Sequence, residues 1–320
     1  QRGGCGGARV RVAGVPSVAR IAVLALALVL PVVALAKAPV PYQLAPWKDD
    51  LFAYPRILDR AYDGDYLEVE YNRPRDLYAR DVERGTKVNP KYVSLDTQEV
   101  EGTFSLDTPA GAMKYIGVGA TGGGAKAITI FVHGFGASMK AGADDWIHGG
   151  NFNRLKNLMM RNGGVYLSAG FSDFKAKGTA QIKALVLDQA AKSPGAPVFL
   201  LCGSAGGGIC WRLLYDPQIS PLLGGIAFLD ADMVEGYVKT ARDIPPPRRV
   251  PIHISGSRED TVLGWRSQLA FFKKMKAAIP DYPIQFVLFS AGTHGLSLRM
   301  TDWRVTLNWM LSERRKLQTQ

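Results

Sequence analysis

After Gly119 the chain alternates short, continuously apolar runs with stretches of helical spacing. That alternation limits the fold more than any other feature. The apolar runs are AITIFV (127–132), GVYLSAGFSDF (164–174), PVFLLC (197–202), GGIAFLD (224–230), VPIHIS (250–255) and PIQFVLFS (283–290). Between and after them, 151–161, 179–192, 206–215, 261–279 and 302–316 repeat apolar residues at the helical period. A strand that is apolar on both sides must be covered on both sides. Such strands alternating with helices therefore predict an α/β fold, a mostly parallel central sheet with helices on both faces.

The first third reads differently. DYLEVEYN (65–72) alternates like a half-buried strand. Residues 92–119 read as two or three strands with turns at 101–102 and 109–111. Antiparallel strands are thus expected on the N-terminal side. There is no internal repeat and no interdomain linker. With 320 residues, 47% hydrophobic, the chain can bury a large core, which excludes wholesale disorder and collagen-like structure.

The net charge is +11. Such a balance raises nucleic acid and anionic membranes as partners. The basic residues are dispersed, however, and no zinc-finger, basic-zipper or RNP-like pattern accompanies them, so no nucleic-acid partner is expected. Weak contact with an anionic membrane surface is the residual expectation. Residues 1–20 carry Arg2, Arg9, Arg11 and Arg20 and no acid, and 21–36 are apolar, ending in Ala34-Leu35-Ala36. A basic segment, an apolar core and a small-x-small site read as a secretory signal cleaved near Ala36, giving a periplasmic or secreted protein. The apolar run is shorter than the ~20 residues of a spanning helix, and Pro31 interrupts it. The alternative is an uncleaved membrane anchor. Past the signal only Cys202 and Cys210 remain. One lies at a strand end and the other about two helical turns along, so the expectation is two buried thiols, not a bridge.

In a sheet of this kind, catalytic groups collect past the carboxyl ends of the strands. PVFLLC is followed by Gly203-Ser204-Ala205-Gly206 and then a helix. A serine between tiny residues, between strand and helix, can sit on a sharp turn that exposes its hydroxyl. VPIHIS leads to Asp260, which could instead cap the next helix. PIQFVLFS leads to His294 between glycines. AITIFV leads to His133-Gly134-Phe135-Gly136. Serine, acid and histidine each stand just past a strand, in that order, and are the residue types from which a nucleophile, an orienting carboxylate and a base are drawn.

With these four motifs in order, the chain from about Glu68 to Arg315 resembles an α/β-hydrolase. The resemblance implies the α/β-hydrolase fold without a large cap domain, since only 231–249 separate two strands where relatives insert a lid. It implies Ser204 as nucleophile, Asp260 as acid and His294 as base, with the backbone N–H groups of Phe135 and Ala205 as oxyanion hole. Cys202 stands where glycine is commoner in the elbow. Asp232 is the competing acid. The domains expected are signal peptide 1–36, N-terminal arm 37–66 and α/β-hydrolase domain 67–320.

The implied activity is serine hydrolysis of carboxylic esters or thioesters, on a small-molecule or polymeric substrate. A serine peptidase or amidase, and a catalytically silent envelope binding protein, are the alternatives; oligomeric state is left open. No cofactor or metal is expected. Gly117-x-Gly119-x-x-Gly122 precedes a strand, not the helix a dinucleotide site needs, and no HExxH or paired-cysteine motif occurs. His253 reads as a core histidine, His133 as shaping the oxyanion turn, and His148 as a polar loop residue. The 138–150 loop, with Met139, Asp145 and Trp146, and the 37–57 arm are the expected site walls.

If the signal is cleaved as expected, N-terminal sequencing of exported protein begins at Lys37 or within a few residues. An intact N-terminus retained in the membrane fraction identifies the anchor instead.

Overall fold

The computed structural model describes residues 41–319; the expected signal segment lies outside them. In chain order the helices and strands are α1 (Asp49–Phe52), β1 (Ile57–Ala61), β2 (Tyr66–Val69), β3 (Asp81–Glu83), β4 (Lys87–Val88), β5 (Glu101–Leu106), β6 (Met113–Gly119), β7 (Ile128–Val132), α2 (Met139–Ala143) and α3 (Asn151–Arg161). There follow β8 (Val165–Ala169), α4 (Ala176–Lys192), β9 (Val198–Gly203), α5 (Gly207–Tyr215), β10 (Leu223–Leu229), α6 (Tyr237–Arg242), β11 (Ile252–Ser257), α7 (Trp265–Ala278), β12 (Ile284–Phe289), α8 (Leu296–Met300) and α9 (Trp303–Gln318).

Ten strands form one sheet in the order β1-β2-β12-β11-β10-β9-β7-β8-β6-β5. From β2 to β8 every neighbouring pair is parallel. The expected mostly parallel sheet is therefore present. The antiparallel strands are split between its edges: β1 pairs antiparallel with β2 at one side, and β6 with both β8 and β5 at the other. The expected turn at 101–102 does not occur, because β5 starts there. Gly102 is small for another reason. A Cβ on it would lie 3.1 Å from the ring of Phe104, which stacks on Tyr115 across the strand pair. The turn at 109–111 does form, with Gly111 at φ +97° and its N–H donating to Thr108.

The two-sided apolar pattern of the strands maps onto two cores. Ile128, Ile130 and Val132 of β7 face Ile182, Leu185, Ile209 and Leu213 of α4 and α5, with Phe271 and Phe272 of α7 in the same core. Phe131 faces the opposite side, with Phe152, Leu155 and Leu158 of α3 and Trp303, Leu307 and Met310 of α9. The helical period of each segment supplies one apolar stripe per helix, and the sheet receives a stripe on each face.

α3 also buries its polar side. Arg154 is wholly buried, donating to Asp302 at 2.9 Å and Asp49 at 3.1 Å. Lys156 is likewise buried against Asp145 and Glu101. Asn153 and Asn157 donate to the Ser94 carbonyl. Their partners come from the N-terminal arm, the 94–101 segment, the 138–150 loop and the start of α9. Asp145 is thus committed to the scaffold and does not wall the site. The 231–249 stretch holds only α6 and one 3₁₀ turn, too little for a cap domain.

Arg154→Ala leaves Asp302 buried without its cation. It should cost about 3–5 kcal/mol, read as a lowered urea midpoint. Lys274→Ala, which breaks the exposed pair with Glu235, should cost at most about 1 kcal/mol. Equal losses would contradict this account of the buried network.

Candidate active site

β9 ends at Gly203, and Ser204 turns the chain into α5 with φ at +47°. A serine is held in this left-handed region only by its surroundings. The surroundings are close. A Cβ on Gly206 would lie 2.5 Å from the Val132 carbonyl and 2.7 Å from that of His133. A Cβ on Gly134 would lie 3.0 Å from that of Ser204. The glycines of the motif are therefore needed where the elbow meets the end of β7.

The same turn folds α5 back beside β9. Cys202 and Cys210 consequently come within 6.5 Å, Cα to Cα, and form a disulfide. This corrects the expectation of two free thiols. Distance along a strand and a helix added up to too much, because the elbow reverses the chain between them and brings the Cα atoms inside the reach of a bridge.

The three residues expected to form the catalytic group converge. His294 Nε2 lies 2.8 Å from Ser204 Oγ, and His294 Nδ1 lies 2.8 Å from Asp260 Oδ2. A carboxylate accepts, so Nδ1 carries the proton and Nε2 is free to accept from the serine hydroxyl. Asp260 is buried, and its other oxygen accepts from the N–H groups of Val262 and Leu263 at 2.8 and 2.9 Å. It does not cap α7, whose N-cap is Gly264. Asp232 is exposed, and its backbone carbonyl accepts from the Trp211 indole; its carboxylate has no bond to His294.

Sequence reasoning passed over Asp230. It ends the GGIAFLD run two residues before Asp232, and that strand-end position was the available signal. Its Oδ2 accepts from the N–H groups of Gly295 and Ser297, both at 3.0 Å, and its Oδ1 from Ser297 Oγ at 2.9 Å. Asp230 therefore ties down the loop that carries His294, from a strained φ of +46°. Complete burial, with the Asp260 charge nearby, pushes its pKa up to about 6 against the lowering effect of the Ser297 bonds.

Across from His294 lies the His133–Gly136 turn. His133 Nδ1–H donates to the Gly134 carbonyl at 2.9 Å, and its ring stacks on Phe171 at 4.3 Å. Burial lowers its pKa, so it is a neutral shaping group. The Phe135 side chain is 86% exposed. The backbone N–H groups of Phe135 and Ala205 belong to the two turns that meet at Ser204. His253 is buried in β11, and burial pushes its pKa down to about 4. His148, at φ +49°, shares a cleft with His294, and its pKa too is pushed down to about 4 by burial and by Arg299. Of the expected walls, Met139 lines a cleft beside His133. No residue of the described arm lines that cleft or the one beside His294.

No family model matches the chain, and no curated protein matches it. Solved structures do. A protein of unknown function from Agrobacterium tumefaciens, named as a candidate α/β hydrolase, aligns with a TM-score of 0.51 at 16% identity, over 67% of this chain and 97% of its own. An esterase from Pyrococcus furiosus aligns at 0.49 and 14% identity, over 72% and 98%. An α/β serine hydrolase homologue from Coxiella burnetii aligns at 0.48 and 16%, over 64% and 95%.

Asp230 supplies a pH test. Its pKa is higher in the folded protein than its ordinary 3.8, so the folded state binds this proton more tightly than the unfolded chain. The resulting stability is present below that ordinary value and is lost as pH rises through about 6. The parent's urea midpoint should therefore decline across this window more steeply than that of Asp230→Asn. Parallel profiles would contradict the assignment.

Proposed function

We propose that this chain, an α/β hydrolase by fold, is a serine hydrolase that cleaves carboxylic ester or thioester bonds through an acyl-enzyme. The observation that carries this is the unbroken hydrogen-bond chain from Asp260 through His294 to Ser204. A serine hydroxyl alone is a weak nucleophile at neutral pH. As Ser204 Oγ attacks the substrate carbonyl carbon, His294 Nε2 takes its proton. The carbonyl oxygen becomes an oxyanion, and the N–H groups of Phe135 and Ala205 are the donors assigned to it. The intermediate collapses, the bond to the leaving oxygen or sulfur breaks, and the proton on Nε2 passes to that leaving group. Water then attacks the acyl-serine by the same route, returning the proton to Ser204. Asp260 holds the tautomer and stabilises the imidazolium; it does not itself take the proton.

The same proposal includes export. The arginine-flanked apolar segment supports it, and so does the Cys202–Cys210 bridge, since disulfides persist chiefly outside the reducing cytosol. The domain is proposed to begin ahead of residue 67, because β1 is part of the main sheet. Among the described residues the 231–249 stretch is too short for a cap domain, which favours an open site.

Two experiments test the chemistry. Fluorophosphonate treatment followed by mass spectrometry should place one adduct on the peptide containing Ser204, and Ser204→Ala should abolish turnover of aryl esters. An adduct elsewhere ends the assignment. Asp260→Asn should lower kcat by up to about 10⁴, the scale of a wrong-tautomer histidine, while Asp232→Asn stays near the parent. The reverse ranking would make Asp232 the acid.

A further inference from the structure

His294 lies between two glycines, Gly292 and Gly295, in the loop that joins β12 to α8. Both have left-handed backbones, with φ of +97° and +88°. Gly292 has no room for a side chain, because a Cβ there would collide with the Leu296 side chain. Glycine permits this conformation but does not enforce it, since it reaches other conformations about as readily. The His294 imidazole keeps contacts of 2.8 Å to both Ser204 and Asp260. A loop hinged on two glycines holds such contacts only if it is tied down from outside.

The ties are two carboxylates, one on each glycine. Gly295 N–H donates to Asp230 Oδ2 at 3.0 Å, as described above. On the other side of His294, Gly292 N–H donates to Glu259 Oε2 at 2.8 Å. Asp230 stands just past β10 and Glu259 just past β11, so the two glycines are fastened to different strand ends. Glu259 also adjoins Asp260, whose carboxylate meets His294 Nδ1. One short turn therefore reaches the histidine loop twice, once at its backbone and once at the imidazole. The Glu259 carboxylate is half exposed and accepts as well from Arg73 at 2.8 Å.

We propose that Glu259 is a positioning residue for His294. Its bond to Gly292 N–H and the Asp230 bond to Gly295 N–H clamp the loop at both glycines and set the imidazole between Asp260 and Ser204. The inference rests on the serine-hydrolase reading above. Glu259 bonds neither the imidazole nor Ser204 and acts only through the loop backbone. Its pair with Arg73 is secondary, because an ion pair between exposed side chains contributes little. A backbone N–H given to a carboxylate is a stronger tie and fixes one point of the loop. A misplacement of about 1 Å at a reacting group can cost about 10² in rate. Loss of one tie, with Asp230 still in place, should cost less than that.

The test measures kcat and KM on an aryl ester for the parent, Glu259→Ala, Glu259→Gln and Arg73→Ala. Both side chains are exposed, so the variants should fold, which circular dichroism checks. Glu259→Ala should lower kcat by about tenfold, the scale of one hydrogen bond to a charged group, with KM near the parent value. Glu259→Gln keeps an oxygen for Gly292 N–H and should restore kcat, and Arg73→Ala should leave kcat near the parent. The proton resonance of His294 Nδ1–H gives a second readout that does not pass through turnover. It should shift or broaden in Glu259→Ala and keep its parent position in Glu259→Gln. Parent-like kcat in Glu259→Ala, or an unmoved resonance, overturns the clamp. Glu259→Gln or Arg73→Ala as impaired as Glu259→Ala makes the ion pair the cause and overturns the assigned bond. A raised KM at constant kcat makes Glu259 a substrate contact instead. If the parent neither turns over esters nor labels at Ser204 with fluorophosphonate, the hydrolase reading fails, and the resonance alone decides the clamp.

Discussion

Ser204 stands at a left-handed φ between a buried strand and a helix, and the rest of the site is arranged around that one strained residue. Such a conformation costs on the order of 1–3 kcal/mol. It persists because β9 is wholly buried and α5 packs its apolar face against the sheet, so that neither relaxes independently. Gly206 lets the turn press against the carbonyls of Val132 and His133, so the elbow and the His133–Gly136 turn are set against each other by backbone contact. The Cys202–Cys210 bridge closes the other side of the same bend. The backbone that carries the Ser204 side chain is thus fixed by contacts on two elements.

The histidine loop is positioned by a different kind of interaction. Two buried carboxylates from neighbouring strands act on it, one on the imidazole and one on the backbone just beyond. Asp260 bonds Nδ1 directly, while Asp230 holds Gly295 and Ser297. The two are the same residue type and accept from different groups. That difference separates a residue in contact with the imidazole from one that acts on its loop. Bringing both charges into one buried region has an electrostatic cost, and it falls on Asp230, whose charged form burial disfavours.

The cleft beside His294 shares residues with the scaffold. Arg299 lines it and also bonds Asp81 of the small β3–β4 hairpin, while buried Arg80 donates to the Gly149 carbonyl next to His148. The cleft wall is thereby built from ion pairs and backbone bonds that leave it little room to collapse. Buried polar residues on α3 do the equivalent for the arm and for the segment before β5. Polar side chains thus help to set the shape of this side of the molecule.

Much of this was legible in the chain itself. Apolar runs too short for helices and apolar on both faces require a covered parallel sheet, and Ser204, Asp260 and His294 each follow such a run, so periodicity alone put them at one end of the sheet. Local chemistry could not go further, because the remaining decisions depend on contacts between segments far apart in sequence. The pairing of β2 with β12, the covering of α3, the bond from Asp230 to the His294 loop and the partnership of Cys202 with Cys210 are all set by packing. A strand pattern says which residues are buried but not which neighbour buries them, and a cysteine spacing gives chain length but not the direction of the turn between. The sequence by itself determined the layers and which polar residues stand just past the strand ends, since those follow from the period and order of residues along the chain. Only the tertiary structure decided which carboxylate meets the histidine, because that depends on distances in space between strand ends that the linear order does not contain.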